Sequence, residues 1–308
     1  MKFGIHVSKL TYIIFALMKK IIFIILFIIT HNIFAQKVSI KVLNEYEDTL
    51  SSIAHTMMFG ENEIIREEAN NGFTKELLEI LQYPNSYYYP FDSLKTISIL
   101  QPEDKKFKLF NWIVRKDDGR IKYYGYILLP SQNNKKNKII KLNNVSNNIN
   151  ENQIFKNDIW YGALYYKIIC PKKKNNKYYT ILGWDGNYEE KIQKIIDVIE
   201  INDNKVFFGK EIFIKNENKT FRVLIDYNKN TSVSVNYDNV QKRIVFDNLV
   251  PLKESYKEYN AYFVPDGSFN CFQYKNGEWI FYEDVDVRNK NISEKITNNK
   301  KENGLFNK

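Results

Sequence analysis

Beyond Pro90 the sequence is a succession of short runs rich in Tyr, Phe, Ile and Val, and this rhythm constrains the fold more than any other feature. The runs include "KTISILQ", "KFKLFNWIVR", "IKYYGYILLP", "GALYYKIIC", "KYYTILGW", "FRVLIDY", "SVSVNYD", "RIVFDN", "NAYFVP", "FNCFQYK" and "EWIFYEDV". Turn-forming pairs separate them: Asp118-Gly119, Asp185-Gly186, Asn230-Thr231, Asp266-Gly267 and Asn276-Gly277. Aromatic and β-branched residues suit a pleated, half-buried surface, and Asn-Gly between alternating runs selects the type I′ turn of a hairpin. The spacing therefore predicts a large antiparallel β domain of hairpins and meanders over 91–288, a sandwich, an open barrel or a propeller-like form. No unit of fixed signature repeats, which weakens the propeller.

The stretch before Pro90 follows another period. In "LNEYEDTLSSIAHTMMFG" the residues Tyr46, Leu50, Ile53 and Met57 recur at three- and four-residue steps. "ENEIIREEANNG" predicts a shorter helix ending near Asn71-Gly72, and "FTKELLEILQYP" another, with Thr74 as its cap and Pro84 as its stop. Two or three amphipathic helices over 36–90 make the whole chain mainly β with a helical N-terminal part (α+β). A polar segment at 131–158 interrupts the hairpins, with one strand expected at Lys138 to Leu142. "NYEEKIQKIIDVIEIND" fits a helical face as well as a strand, and its second half is read as strand. The polar tail at 289–308 is expected to be disordered.

The first 35 residues set the compartment. Read as one span, the apolar stretch from Leu10 to Phe34 would hold Lys19 and Lys20 near its middle, at roughly 2.5 to 3.5 kcal/mol each. Read from Met18, the same residues form a basic start, an apolar core from Ile21 to Ile29 and a small residue, Ala35, at the cut. That is the pattern of a cleaved secretory signal. Translation is thus expected to start at Met18, with 1–35 comprising an upstream extension plus signal peptide, and the mature protein to be periplasmic or extracellular. It would keep no stable membrane span.

The β portion resembles a family of exported Bacteroidetes proteins of unknown function. The resemblance is carried by "KFKLFNWIVRKDDGRIKYYGYILL", "YYTILGWDGN", "RIVFDNLVP" and "VPDGSFNCFQYKNGEWIFYEDVDVRN", in that order over roughly residues 95 to 289, and by the "FAQ" that ends the signal. It implies export and a helical-then-β layout, and it supplies no catalytic residue.

Composition excludes several activities. The net charge is +9, and four of the cations lie in the first 35 residues, where there are no acids. The basic runs "NNKKNK" and "PKKKNNK" carry no aromatic between the charges, so they lack the stacking platforms of a nucleic-acid groove. Only His55 remains outside the leader, which rules out a multi-histidine metal site and leaves imidazole catalysis one helical residue to rest on. Neither GxxxxGK[ST] nor GxGxxG is present. No cofactor is called for.

Carboxylates and aromatics remain. A glycan hydrolase needs two acids across a cleft. Asp185 in "GWDGN" and Asp117-Asp118 in "RKDDGR" qualify by type, although Asp before Gly is also what a turn selects. In "YEDVDV", strand alternation would place Asp284 and Asp286 on one face, as a weak calcium pair or a charged edge. Aromatics form 15% of the chain. Trp112 and Trp184 are candidates for an exposed platform that binds a sugar or an envelope protein, the alternative being that aromatics build the core. Cys170 and Cys271 can pair in an oxidising compartment, closing a loop of about 100 residues worth ~4–5 kcal/mol, or stay as buried thiols. The resulting expectation is a non-catalytic binding or envelope-associated module, with a carboxylate-based glycan hydrolase as the rival. Catalytic residues are not assigned.

Overall fold

The computed structural model describes residues 18–19, 37–131, 135–144, 150–170, 178–186, 191–202 and 205–287. The expected signal peptide, apart from residues 18–19, and the expected disordered tail lie outside them. No described helix is long and apolar enough to cross a membrane.

Helix α1 (Ile40–Phe59) starts where the Ser39 side chain accepts the Val42 N–H, and it buries Leu43, Leu50, Ala54 and Met57 on one stripe. Helix α2 (Glu63–Leu81) is capped in the same way by Asn62. It runs straight through Asn71-Gly72, so the expected stop there and the Thr74 cap do not exist. A helical glycine costs about 1 kcal/mol. Phe73, Leu77 and Ile80 are fully buried along the same helix, and each such side chain returns roughly 1.5–3 kcal/mol, so packing overrides the local break.

The strands follow in chain order. β1 (Ser98–Leu100), β2 (Lys108–Arg115), β3 (Ile121–Leu129) and β4 (Lys138–Leu142) form an antiparallel first sheet in that order. β5 (Phe155–Lys156), β6 (Leu164–Ile169), β7 (Tyr178–Asp185), β8 (Lys191–Asn202) and β9 (Lys205–Phe208) make a second sheet, ordered β5-β9-β8-β7-β6. The ambiguous isoleucine-rich segment is therefore strand throughout β8. β10 (Phe213–Lys215) and β11 (Asn218–Thr220) start the third sheet, and β12 (Val223–Asn228) returns to pair with β8. β13 (Val235–Asp238), β14 (Arg243–Pro251), β15 (Phe263–Lys275) and β16 (Glu278–Tyr282) complete the third sheet, ordered β11-β10-β16-β15-β14-β13. Its β10–β16 pair is parallel.

Among the described residues the three sheets are open and stacked, as in a sandwich, and none closes into a barrel. Opposite faces of β2 show how. Phe110, Trp112 and Val114 pack on the helices, while Leu109 and Ile113 pack on Tyr179, Ile181, Ile195 and Ile199 of the second sheet. The second sheet then turns Leu182, Ile196 and Val198 toward Ile244, Phe272 and Trp279 of the third. Helices and three sheets thus form four layers with an apolar cluster at each of three interfaces.

Two turn expectations differ in outcome. Lys275 pairs with Glu278 across Asn276-Gly277, both at positive φ, which is the type I′ hairpin. Asp266-Gly267 closes no hairpin. "NAYFVP" and "FNCFQYK" belong to one long strand, β15, whose register against β14 slips between Asp247 and Leu249. Gly267 sits at φ +91 in that bulge, and Asp266 accepts the Ser268 N–H and hydroxyl.

Candidate functional site

The structure buries two of the sequence candidates, Trp112 and Asp185, and leaves Asp284 and Asp286 exposed. Trp112 is fully buried, with Phe73 edge-on and Tyr124 and Tyr126 stacked at 5.7 Å, and its Nε1 donates to Asn70 Oδ1 at 2.9 Å. It is core, not a platform. Asp185 is the last residue of β7 rather than a turn residue; it is 3% exposed and accepts the Tyr123 hydroxyl at 2.7 Å. Trp184 is half-buried, and its ring closes over Gly186, where an added Cβ would come within 2.4 Å of it.

The acids of "YEDVDV" do not lie on a strand. β16 ends at Tyr282, and Asp284 turns the chain at φ +48, so Asp284 and Asp286 share no strand face. The Asp284 N–H donates to Asn270 Oδ1 at 3.2 Å, and the Asp286 carbonyl accepts Arg243 Nη2 at 2.9 Å. Cys170 and Cys271 are free thiols, and burial pushes both above the ordinary thiol range. His55 is exposed on α1, 4.9 Å from the ring of Phe59. Asp118 accepts its own turn's Arg120 N–H at 3.0 Å, as turn chemistry requires.

Two polar assemblies emerge instead, one at each face-to-face sheet interface. Between the first and second sheets, Asp197 of β8 and Arg222 are both fully buried, with Nε 2.9 Å from Oδ2. Asp197 also accepts the Tyr161 hydroxyl at 2.6 Å and the Val198 N–H at 2.6 Å. Arg222 donates three further hydrogen bonds, to the carbonyls of Asn150, Gln153 and Phe208. Its guanidinium lies 4.9 Å from the Phe155 ring centre and 5.4 Å from that of Tyr161. Tyr161 and Tyr165 share a 2.7 Å hydrogen bond, and burial, reinforced by the Asp197 charge, pushes both phenols well above their ordinary range. Gly209, at φ +101, leaves room for the guanidinium, since a Cβ there would stand 2.6 Å from Arg222 Nη2. This network is closed on itself and ties residues 150–161 to the second sheet.

The second assembly borders open space. A cleft of about 240 Å³ lies between β12 and the third sheet. Its apolar wall is Phe246, Phe263, Phe272 and Phe281, and its polar groups are Lys215, Asp226, Asp247, Asn248, Asn260 and Asn270. Asp226 accepts Gln193 Nε2, and Asp247 accepts the Ser234 N–H at 2.7 Å. The amides form a chain, Asn270 Nδ2 to Asn248 Oδ1 at 2.9 Å and Asn248 Nδ2 to Asp266 Oδ2 at 2.9 Å. Three hydrogen bonds, from the Ser268 N–H, the Ser268 hydroxyl and Asn248, hold the Asp266 carboxyl below the usual carboxylate range. Lys215 Nζ stands 4.5 Å above the Phe281 ring.

Compared with protein families, curated proteins and solved structures, the chain matches none. The site is therefore read from its own geometry. Two sequence candidates connect to residues of the cleft: the Asp284 N–H donates to Asn270, and Asp185 is the register partner of Gln193, which donates to Asp226. The residues that line it were missed. Their available signal was an acid or amide inside a strand run and away from a turn, as in "LIDY", "VFDN" and "FNCF", where solvated turn chemistry does not account for it.

Proposed function

We propose that this chain is an exported, non-catalytic binding protein that uses the cleft between β12 and the third sheet for a small polar ligand. The observation that carries the reading is the composition of that cleft. Phenylalanine rings stand beside the Asn270 and Asn248 amides, which are joined by a 2.9 Å hydrogen bond, with Asp226 and Asp247 on the bordering strands. Concave sites of mixed apolar and convergent polar lining are where proteins hold small molecules. Export is supported by the segment from Met18 to Ala35 and by the resemblance to exported Bacteroidetes proteins. Intact mass of the exported protein checks it, with Gln36 the expected first residue; retention of earlier residues would rule cleavage out.

Binding is tested by thermal unfolding against a panel of glycan fragments, short peptides and divalent cations. A ligand at 100 times its dissociation constant stabilises the fold by ~2.7 kcal/mol, a visible rise in melting temperature. A flat panel would count against the cleft and favour an envelope-associated role through a protein partner. The rival reading, a carboxylate-based glycan hydrolase, is favoured by Asp226 and Asp247 bordering one cleft. Turnover of a glycan that is abolished by Asp226→Asn or Asp247→Asn, with folding retained, would replace the binding reading with the enzyme.

A further inference from the structure

We propose that the ligand of this cleft is a small aryl carboxylate, held with its anionic head at Lys215 and its ring among the phenylalanines. This ligand class rests on the reading of the cleft as the binding site and adds what the site selects.

Strand alternation decides which side chains face the cleft. In β12, Val223 and Ile225 pack into the interface with the third sheet, while Leu224 packs on the opposite side. Asp226 shares the Leu224 face, so its carboxyl turns away from the cleft. Asp247 follows Phe246, which packs into the same interface as Phe272, and therefore stands on the other face of β14. Lys215 falls the opposite way. It lies two residues from Phe213, whose side chain is buried in that interface, and shares its face. Asn270 bears the same relation to Phe272. Both acids border the cleft through their strands, and the charge presented to it is a cation.

The groups left on that face are donors. Lys215 ends β10 at a tight turn, paired with Asn218 across Asn216 and Glu217, both at positive φ. Its Nζ stands 4.5 Å from the centre of the Phe281 ring, and it makes no ion pair among the described residues. Glu278, on the neighbouring β16, is already taken by Lys219 at 2.7 Å. Asn270 commits its oxygen to the Asp284 N–H and one N–H to Asn248. Asn248 commits its oxygen to that bond and one N–H to Asp266. Each amide keeps a second N–H, and an ammonium carries three and accepts none. A carboxylate, with two oxygens that only accept, is the complement of such a set.

The remaining wall sets the body of the ligand. Phe272 lies 5.5 Å from Phe281 and Phe246 5.7 Å from Phe272 between ring centres, and Phe263 and Phe281 are only half-buried. An aromatic ring placed there meets edges and faces of its own kind. The cleft measures about 240 Å³, below the ~300–1,000 Å³ of clefts that take drug-sized ligands, which suits one ring. Acetate or phosphate would leave the phenylalanines uncovered. A metal cation would meet Lys215 with no carboxylate on its face, and a neutral sugar would leave the ammonium without a counter-charge.

The test is isothermal titration of the exported protein with benzoate and phenylacetate, beside their uncharged amides, acetate and glucose. The expected result is binding of at least one aryl carboxylate, roughly tenfold or more tighter than its amide. Lys215→Met should remove that preference and Lys215→Arg should keep it, while Phe263→Ala should weaken acid and amide alike. Lys215 is exposed, so the melting temperature of its variants should stay within a few degrees of the parent. An amide or glucose bound as tightly as the acids, and weakened by Phe263→Ala, would overturn the carboxylate and leave the cleft standing as a binding site. Binding of an acid untouched by Lys215→Met and Phe263→Ala would overturn the cleft itself. Silence from every probe would overturn the ligand class.

Discussion

The two polar assemblies of this molecule sit one sheet apart and obey opposite rules. Between the first and second sheets, Asp197 and Arg222 spend their hydrogen-bonding capacity on the chain itself. Four of the five guanidinium N–H groups reach Asp197, Asn150, Gln153 or Phe208, and no surface of either side chain is exposed. Between β12 and the third sheet, Asp226, Asp247 and Asn270 border an open cleft, and each is hydrogen-bonded to a neighbouring segment. A buried ion pair with every partner supplied is a fastening, whereas polar groups that border open space are within reach of a ligand.

That contrast can be broken by mutation, and the largest effect belongs to the sealed side. Arg222→Met should leave Asp197 buried without its cation and cost about 3–5 kcal/mol in denaturant unfolding. The double change Arg222→Met with Asp197→Leu should recover much of the loss, since an apolar pair needs no compensation. A single variant as stable as the parent would mean the network is no fastening.

A second sealed charge sharpens the point through pH. Lys108 is buried beside Tyr87 and Phe91, donates to the Tyr89 carbonyl at 2.6 Å, and is brought down to about 8 by burial. With the folded value below the unfolded one, the unfolded chain binds more protons between them. The cost of burying this ammonium is therefore present at and below about pH 8 and is relieved as the pH rises from about 8 toward 10.5. Relative to Lys108→Met, which has no such group, the parent should gain up to ~3 kcal/mol across that window in urea titrations. A constant difference would refute the shift.

Smaller still is Trp112→Phe, which keeps most of the ring but leaves Asn70 Oδ1 without its donor in a sealed interface. The expected loss is about 1–3 kcal/mol, read from denaturant midpoints. At the open cleft, Asn260→Ala should change stability by less than about 0.5 kcal/mol, because the side chain is exposed and its surroundings are solvent. A cleft residue that destabilised the fold as Arg222 does would erase the distinction between the two assemblies.

Much of the secondary structure was legible because its causes are local. Asn276-Gly277 carries its own hairpin, Lys138 to Leu142 stood out as the apolar stretch of a polar segment, and His55 sits exposed on its helix. The errors share one cause, which is packing that outweighs a local breaker. Gly72 does not end α2 because Phe73 and Leu77 continue its buried face, and Gly267 does not end β15 because a bulge absorbs it. The aromatic load went mainly into the interfaces, as Trp112, Trp160 and Trp279 show by their near-complete burial.

By itself, then, the sequence determined a helical start, an antiparallel β body and the hairpins that join its strands, since periodicity and turn chemistry act over a few residues. It also bore a hint of the layering, for "LFNWIV" and "YYTILG" are apolar on both faces, as strands covered on two sides must be. Which sheets face one another, and hence which polar groups are sealed and which border a cleft, was decided only in three dimensions. Asp197 and Asp226 are both acids inside strand runs. Only the sheets stacked around them make one a fastening and the other part of the border of an open cleft.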